Sequence, residues 1–135
     1  VEMDSMNVAE RLKNKVDNYE NKNLPIYNFS TYRYNYLGKT ISYLKNYGKV
    51  YLVRLPLSPE IFEIEKKLIS DFDLKMKNLS AEYKTPYFNL TNRNHNFQYT
   101  DGNHLYKESG EEVSLLLLVD SYLRLRFQDF AGSYL

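Results

Sequence analysis

Apolar side chains recur at helical spacing near the start of the chain, where Met6, Ala9, Leu12, Val16 and Tyr19 share one face of residues 5–20 and Lys and Asp occupy the other. The polar residues 21–23, followed by Leu24 and Pro25, end this amphipathic helix. A second helix is predicted over residues 30–47 from Tyr34, Leu37, Ile41 and Leu44, with Gly48 as its stop. Residues 49–55 then read as a buried strand, β-branched and aromatic and almost continuously apolar, closed by Pro56. Ser58 followed by Pro59 and Glu60 starts a helix with proline at its first position, carrying Ile61, Ile64 and Leu68. Ser70 and Asp73 form a capping box for another, with Phe72, Met76, Leu79 and Tyr83 as its buried stripe. Residues 86–90 make a short second strand and 91–106 a loop. The last helix is expected over 109–126, with Ser109 as N-cap, Glu112 closing the box, Leu115 to Val119 buried, and Asp120, Arg124 and Arg126 on the wet side.

Strands separated by helices imply an α/β layer with parallel pairing. The 135 residues amount to one α/β domain, or to the C-terminal fragment of a larger one, with 1–47 as a helical lead-in and 48–126 as a strand-helix-strand-helix unit. Two strands are fewer than the four to six or so of an ordinary sheet. The chain is therefore expected to have its sheet completed from elsewhere, self-association with another copy being one route.

Composition removes several chemistries. Eighteen basic against 17 acidic residues give a net charge of +1, which offers no electrostatic case for a nucleic-acid partner. The absence of cysteine excludes disulfides, thiolate catalysis and Cys-ligated zinc, and no cofactor is expected. No apolar run reaches the ~20 residues of a membrane span. Residues 1–4 have neither the basic nor the apolar region of a signal peptide, and the compartment stays open. Without an initiating Met, the chain reads as a processed product or a cut-out piece. Fourteen tyrosines are read first as codon bias, and otherwise as a carbohydrate- or base-stacking surface.

The chemistry concentrates in Asp101-Gly102-Asn103-His104, an acid three residues before a histidine on a turn just ahead of the last helix. An aspartate there can orient an imidazole, and the imidazole can move a proton. Both residues also have plainer readings: Asp101 as the turn former of an Asp-Gly pair and His104 as a cap of that turn. Ser5 reads as the N-cap of the first helix rather than a nucleophile. His95 lies 6 residues before Asp101 and 9 before His104, a spacing that matches no metal-ligand pattern, so a solvated loop residue is expected. Arg54, near the carboxyl end of the first strand, is read as an ion-pair partner of a neighbouring helix.

A strand, a turn bearing Asp-x-x-His and a closing helix together resemble the end of an SGNH (GDSL-type) hydrolase domain, over roughly residues 40–125. The resemblance implies a three-layer α/β sandwich with parallel strands, flavodoxin-like, here helix-rich and partial, with the site at the carboxyl ends of the strands. It implies serine-dependent acyl transfer on an acyl ester or acetylated glycan, with His104 as general base and Asp101 orienting it. The family's nucleophile sits in a Gly-Asp-Ser upstream; the nearest match here is Asp4-Ser5, preceded by Met3. The segments that supply oxyanion donors, each worth roughly 3 kcal/mol, have no counterpart. The chain is thus expected to be the C-terminal part of such an esterase or deacetylase, the alternative being a degenerate hydrolase fold that binds a partner or glycan.

Overall fold

The computed structural model describes residues 4–131, with side chains described through residue 119. Helix α1 (Ser5–Asn18) continues into a π-helical turn at Tyr19–Asn23, and α2 (Thr31–Leu44) follows. Strand β1 (Leu52–Arg54), α3 (Pro59–Leu68), α4 (Phe72–Glu82) and β2 (Tyr87–Asn89) come next. A 3₁₀ helix at Thr91–Asn96 and a long α5 (Lys107–Ala131) complete the order.

The two strands pair in parallel, Leu52 with Tyr87, Val53 with Phe88 and Arg54 with Asn89. A helical crossover, α3 then α4, carries the chain from one to the other, as parallel pairing demands. Both strands are shorter than the apolar runs that announced them. One hydrogen bond beyond each end, Leu52 N–H to Pro86 O and Leu90 N–H to Arg54 O, extends the ladder. Pro86 has no N–H to carry it further, and Pro56 follows β1 closely. The molecule is a helix-rich α/β fold on a two-stranded parallel sheet.

Burial divides into two clusters. Ile41 of α2 and Met76 and Leu79 of α4 form one, joined by Leu37, Val50, Leu52, Phe72 and Tyr87. Leu90, Phe97, Tyr99 and Val113 form the other, between the loop after β2 and the start of α5, with Leu105, Leu116 and Leu117 against it. Successive strand residues face opposite sides, so the short sheet supplies side chains to both of its faces. Ile61 and Ile64 of α3 are buried, and Ser58 caps that helix by accepting from Ile61 N–H at 3.4 Å, with Pro59 at its first turn.

Three expected caps differ. Asp4 caps α1 by accepting from Met6 N–H, and Ser5 is the first helical residue. Asp71 occupies the N-cap of α4 without a side-chain cap bond, its carboxylate being held by Lys75 one turn on. α5 begins at Lys107, two residues before Ser109, so Ser109 lies inside its first turn. The apolar face of α1 is also displaced: Met6 is exposed, and the half-buried residues are Val8, Leu12, Lys15, Val16, Asn18 and, just past the helix, Tyr19. Leu44 of α2 and Leu115, Leu118 and Val119 of α5 are exposed rather than buried. The polar face expected at Asp120, Arg124 and Arg126 lies outside the described side chains. Among the described residues no helix is long and apolar enough to cross a membrane.

Candidate active-site loop

The loop between Tyr99 and Leu105 is closed by an isolated antiparallel bridge between those two residues. Thr100 N–H donates to His104 O at 2.8 Å and Tyr106 N–H to Gln98 O at 2.8 Å. Buried Ser109 accepts from Gln98 N–H at 2.9 Å and so ties the base of the loop to α5. At the tip, Asp101 Oδ1 accepts the backbone N–H groups of Asn103 (3.0 Å) and His104 (2.9 Å). This is the Asx turn that an Asp-Gly pair favours. Gly102 sits at φ +91°, in the left-handed region. A Cβ there would lie 2.7 Å from Leu12 Cδ1 and 2.9 Å from Ile61 Cγ1, so only glycine fits. Its carbonyl accepts from Ser58 N–H at 2.8 Å, which fixes the tip against the start of α3.

The same carboxylate reaches the imidazole. His104 Nδ1 lies 3.0 Å from Asp101 Oδ1 and 2.9 Å from Oδ2. A carboxylate only accepts, so Nδ1 is the donor in this contact. The His104 side chain is 74% exposed and that of Asp101 20%, so the acid is sheltered while the base is presented to solvent. Turn former and imidazole partner were alternative readings of Asp101, and the structure has it serve as both.

Two contacts from the α1 side complete the surroundings. Lys15 Nζ lies 2.5 Å from Asp101 Oδ2, and Tyr19 Oη accepts from Asn103 Nδ2 at 2.5 Å. Burial alone pushes the Asp101 carboxyl up. The hydrogen bonds from Lys15, from His104 and from Asn103 outweigh it and hold the group well below the usual carboxylate range. Nothing local in the sequence marked Lys15, Tyr19 or Asn103, because the two elements that meet are more than 80 residues apart. The only available signal was a lysine lying between Leu12 and Tyr19 on one helical face.

The remaining candidates fall outside this cluster. Ser5 stands at the far end of α1, ten residues from Lys15 and so roughly 15 Å along the helix axis, and is exposed. Ser58 is next to Gly102 but buried and used as a cap. His95 is exposed on the 3₁₀ helix, and among the described residues no group of three or more His, Asp or Glu could hold a metal ion. Arg54 is an ion-pair partner of neighbouring helices, as its position suggested. Its two amino groups bind Asp73 of α4 (2.8 Å) and Glu65 of α3 (3.0 Å). The rings of Phe62 and Phe72 lie 5.3 and 4.4 Å from its guanidinium carbon. Tyr87 donates to the same Asp73 oxygen at 2.8 Å.

The loop therefore presents a sheltered, ionised aspartate and an exposed imidazole oriented by it. No family model, no curated protein and no solved structure matches this chain.

Proposed function

We propose that these residues are the C-terminal part of an SGNH-type serine esterase or deacetylase and supply the Asp101–His104 pair of its catalytic triad. The observation that carries the reading is the Asp101 carboxylate on Nδ1 of an exposed His104, 2.9 Å away. In that role His104 Nε2 takes the proton of a serine hydroxyl as the hydroxyl attacks an acyl carbonyl, then returns it to the departing alcohol. Asp101 keeps the ring in the correct tautomer and stabilises the imidazolium that forms. In this reading the serine and the oxyanion donors come from a Gly-Asp-Ser segment and its neighbours outside residues 1–135; Ser5 is exposed at the far end of α1 and Ser58 is a buried cap. The three-layer sandwich and the acyl-ester or acetylated-glycan substrate belong to this proposal.

The test is labelling with a fluorophosphonate, which reacts with an activated serine, followed by mass spectrometry to place the adduct. The 135-residue chain alone is expected to take no label. An adduct on Ser5 or Ser58 would defeat the assignment of roles.

A second reading, a binding module, is favoured by one feature. Tyr32, Tyr36, Tyr43 and Tyr47 are exposed along and just beyond α2, with ring centroids paired at 4.6 and 5.1 Å. Glycan binding that disappears on replacing these tyrosines, with no serine ever labelled, would favour it.

A further inference from the structure

Helix α1 buries none of its own residues fully, yet one face of it meets the candidate site at consecutive points. Leu12 stands against Gly102, Lys15 bonds Asp101, and Tyr19, just past the helix, bonds Asn103. Positions 12, 15 and 19 follow the i, i+3, i+7 spacing of one helical stripe. Lys15 is the charged member of that stripe, and its side chain is 24% exposed. Its ammonium and the His104 ring share a single oxygen, Asp101 Oδ2, at 2.5 and 2.9 Å.

We infer that Lys15 is a positioning residue for the Asp101–His104 pair, a role that rests on the acid–base reading of that pair. The ammonium bonds Oδ2, while two backbone N–H groups hold Oδ1, so the carboxylate cannot turn away from the ring. Docking of α1 thus sets the orientation of the carboxylate that holds the base. The other titratable groups around this corner are Tyr19 beside Asn103, and Glu60 and His95, which line the small cleft that Gly102 closes. All three are unchanged in the variants below.

The test is NMR of the 135-residue chain with ¹⁵N-labelled histidine at alkaline pH, reading the ratio of the Nδ1–H to the Nε2–H tautomer of each ring. His95 serves as the internal reference. Lys15→Met keeps the aliphatic stem and removes the charge. The His104 ratio of Nδ1–H to Nε2–H is expected to fall several-fold in Lys15→Met and in Lys15→Gln, and to stay at the wild-type value in Lys15→Arg. The His95 ratio should be the same throughout. Asp101→Asn, measured alongside, should lower the His104 ratio several-fold. An unchanged ratio in both Lys15→Met and Lys15→Gln, with the Asp101→Asn response intact, would overturn the role of Lys15 and leave the pair standing. No response to any of these substitutions would overturn the pair as well.

Discussion

His104 donates to Asp101 twice, through its backbone N–H at 2.9 Å to Oδ1 and through Nδ1 at 2.9 Å to Oδ2. The turn that brings the histidine round and the contact that orients its ring are therefore made by one carboxylate. Asparagine at position 101 keeps an oxygen for the backbone bonds but loses the charge that holds Lys15. Because the folded carboxyl sits below its unfolded value of about 3.9, its contribution to stability is fully present above roughly pH 5 and is lost as pH falls through the folded value. Asp101→Asn should thus be less stable than wild type near pH 6, with the gap narrowing toward pH 2–3. Urea midpoints at both pH values check this, and a gap that is constant or widens in acid contradicts it.

Gly102 and Gly110 should respond to alanine with opposite signs. At Gly102 the φ of +91° and the contacts to Leu12, Ile61 and Ser58 leave no room for a methyl group. Gly102→Ala is expected to cost at least about 2 kcal/mol from left-handed strain and overpacking. At Gly110, within α5, a Cβ meets nothing within 4 Å. Gly110→Ala should stabilise by about 0.5–1 kcal/mol through helix propensity. Denaturant unfolding of the two variants side by side reads both.

Arg54 holds β1 to α3 and α4 together. Arg54→Met leaves Asp73 and Glu65 without their cation, and the expected loss is about 1–3 kcal/mol. That lies at the low end for a broken ion pair because Asp73 and Glu65 are 38% and 41% exposed. Arg54→Lys should recover little, since one ammonium cannot span two carboxylates while stacked between two rings. Full recovery by lysine in thermal unfolding would show that charge alone suffices.

Ser109 distinguishes a loop anchor from a helix cap. Removing its hydroxyl leaves Gln98 N–H without its acceptor and should cost about 1 kcal/mol. Its effect should be concentrated in faster amide exchange at Gln98 rather than in the first residues of α5. Faster exchange confined to the start of α5 would restore the capping role.

How much of this was legible in the sequence follows from the range of each interaction. The helices over residues 31–44, 59–68 and 72–82 were marked by periodic apolar residues and by Ser58-Pro59, all local signals. The Asp101–His104 relation was equally legible, because three residues and a glycine turn suffice to make it. Strand length and strand burial were both overestimated: no residue of 49–55 is buried, Val53 and Leu55 are exposed, and toward Lys49 the ladder stops where β2 begins after Pro86. The face of α1 was misread because Met6 and Ala9 have helical spacing but no body to pack on. Lys15, a polar residue, lies on the buried side because Asp101 receives it there. A partner 86 positions away leaves no trace in either local pattern.

The most direct measurement is fluorophosphonate labelling of the protein produced from its own reading frame, comparing wild type with His104→Ala and with His95→Ala. The account predicts an adduct on a serine outside residues 1–135 in wild type, its rate falling by at least about 10³-fold in His104→Ala and staying near wild type in His95→Ala. Labelling undiminished by the loss of His104, or an adduct on Ser5 or Ser58, would contradict it.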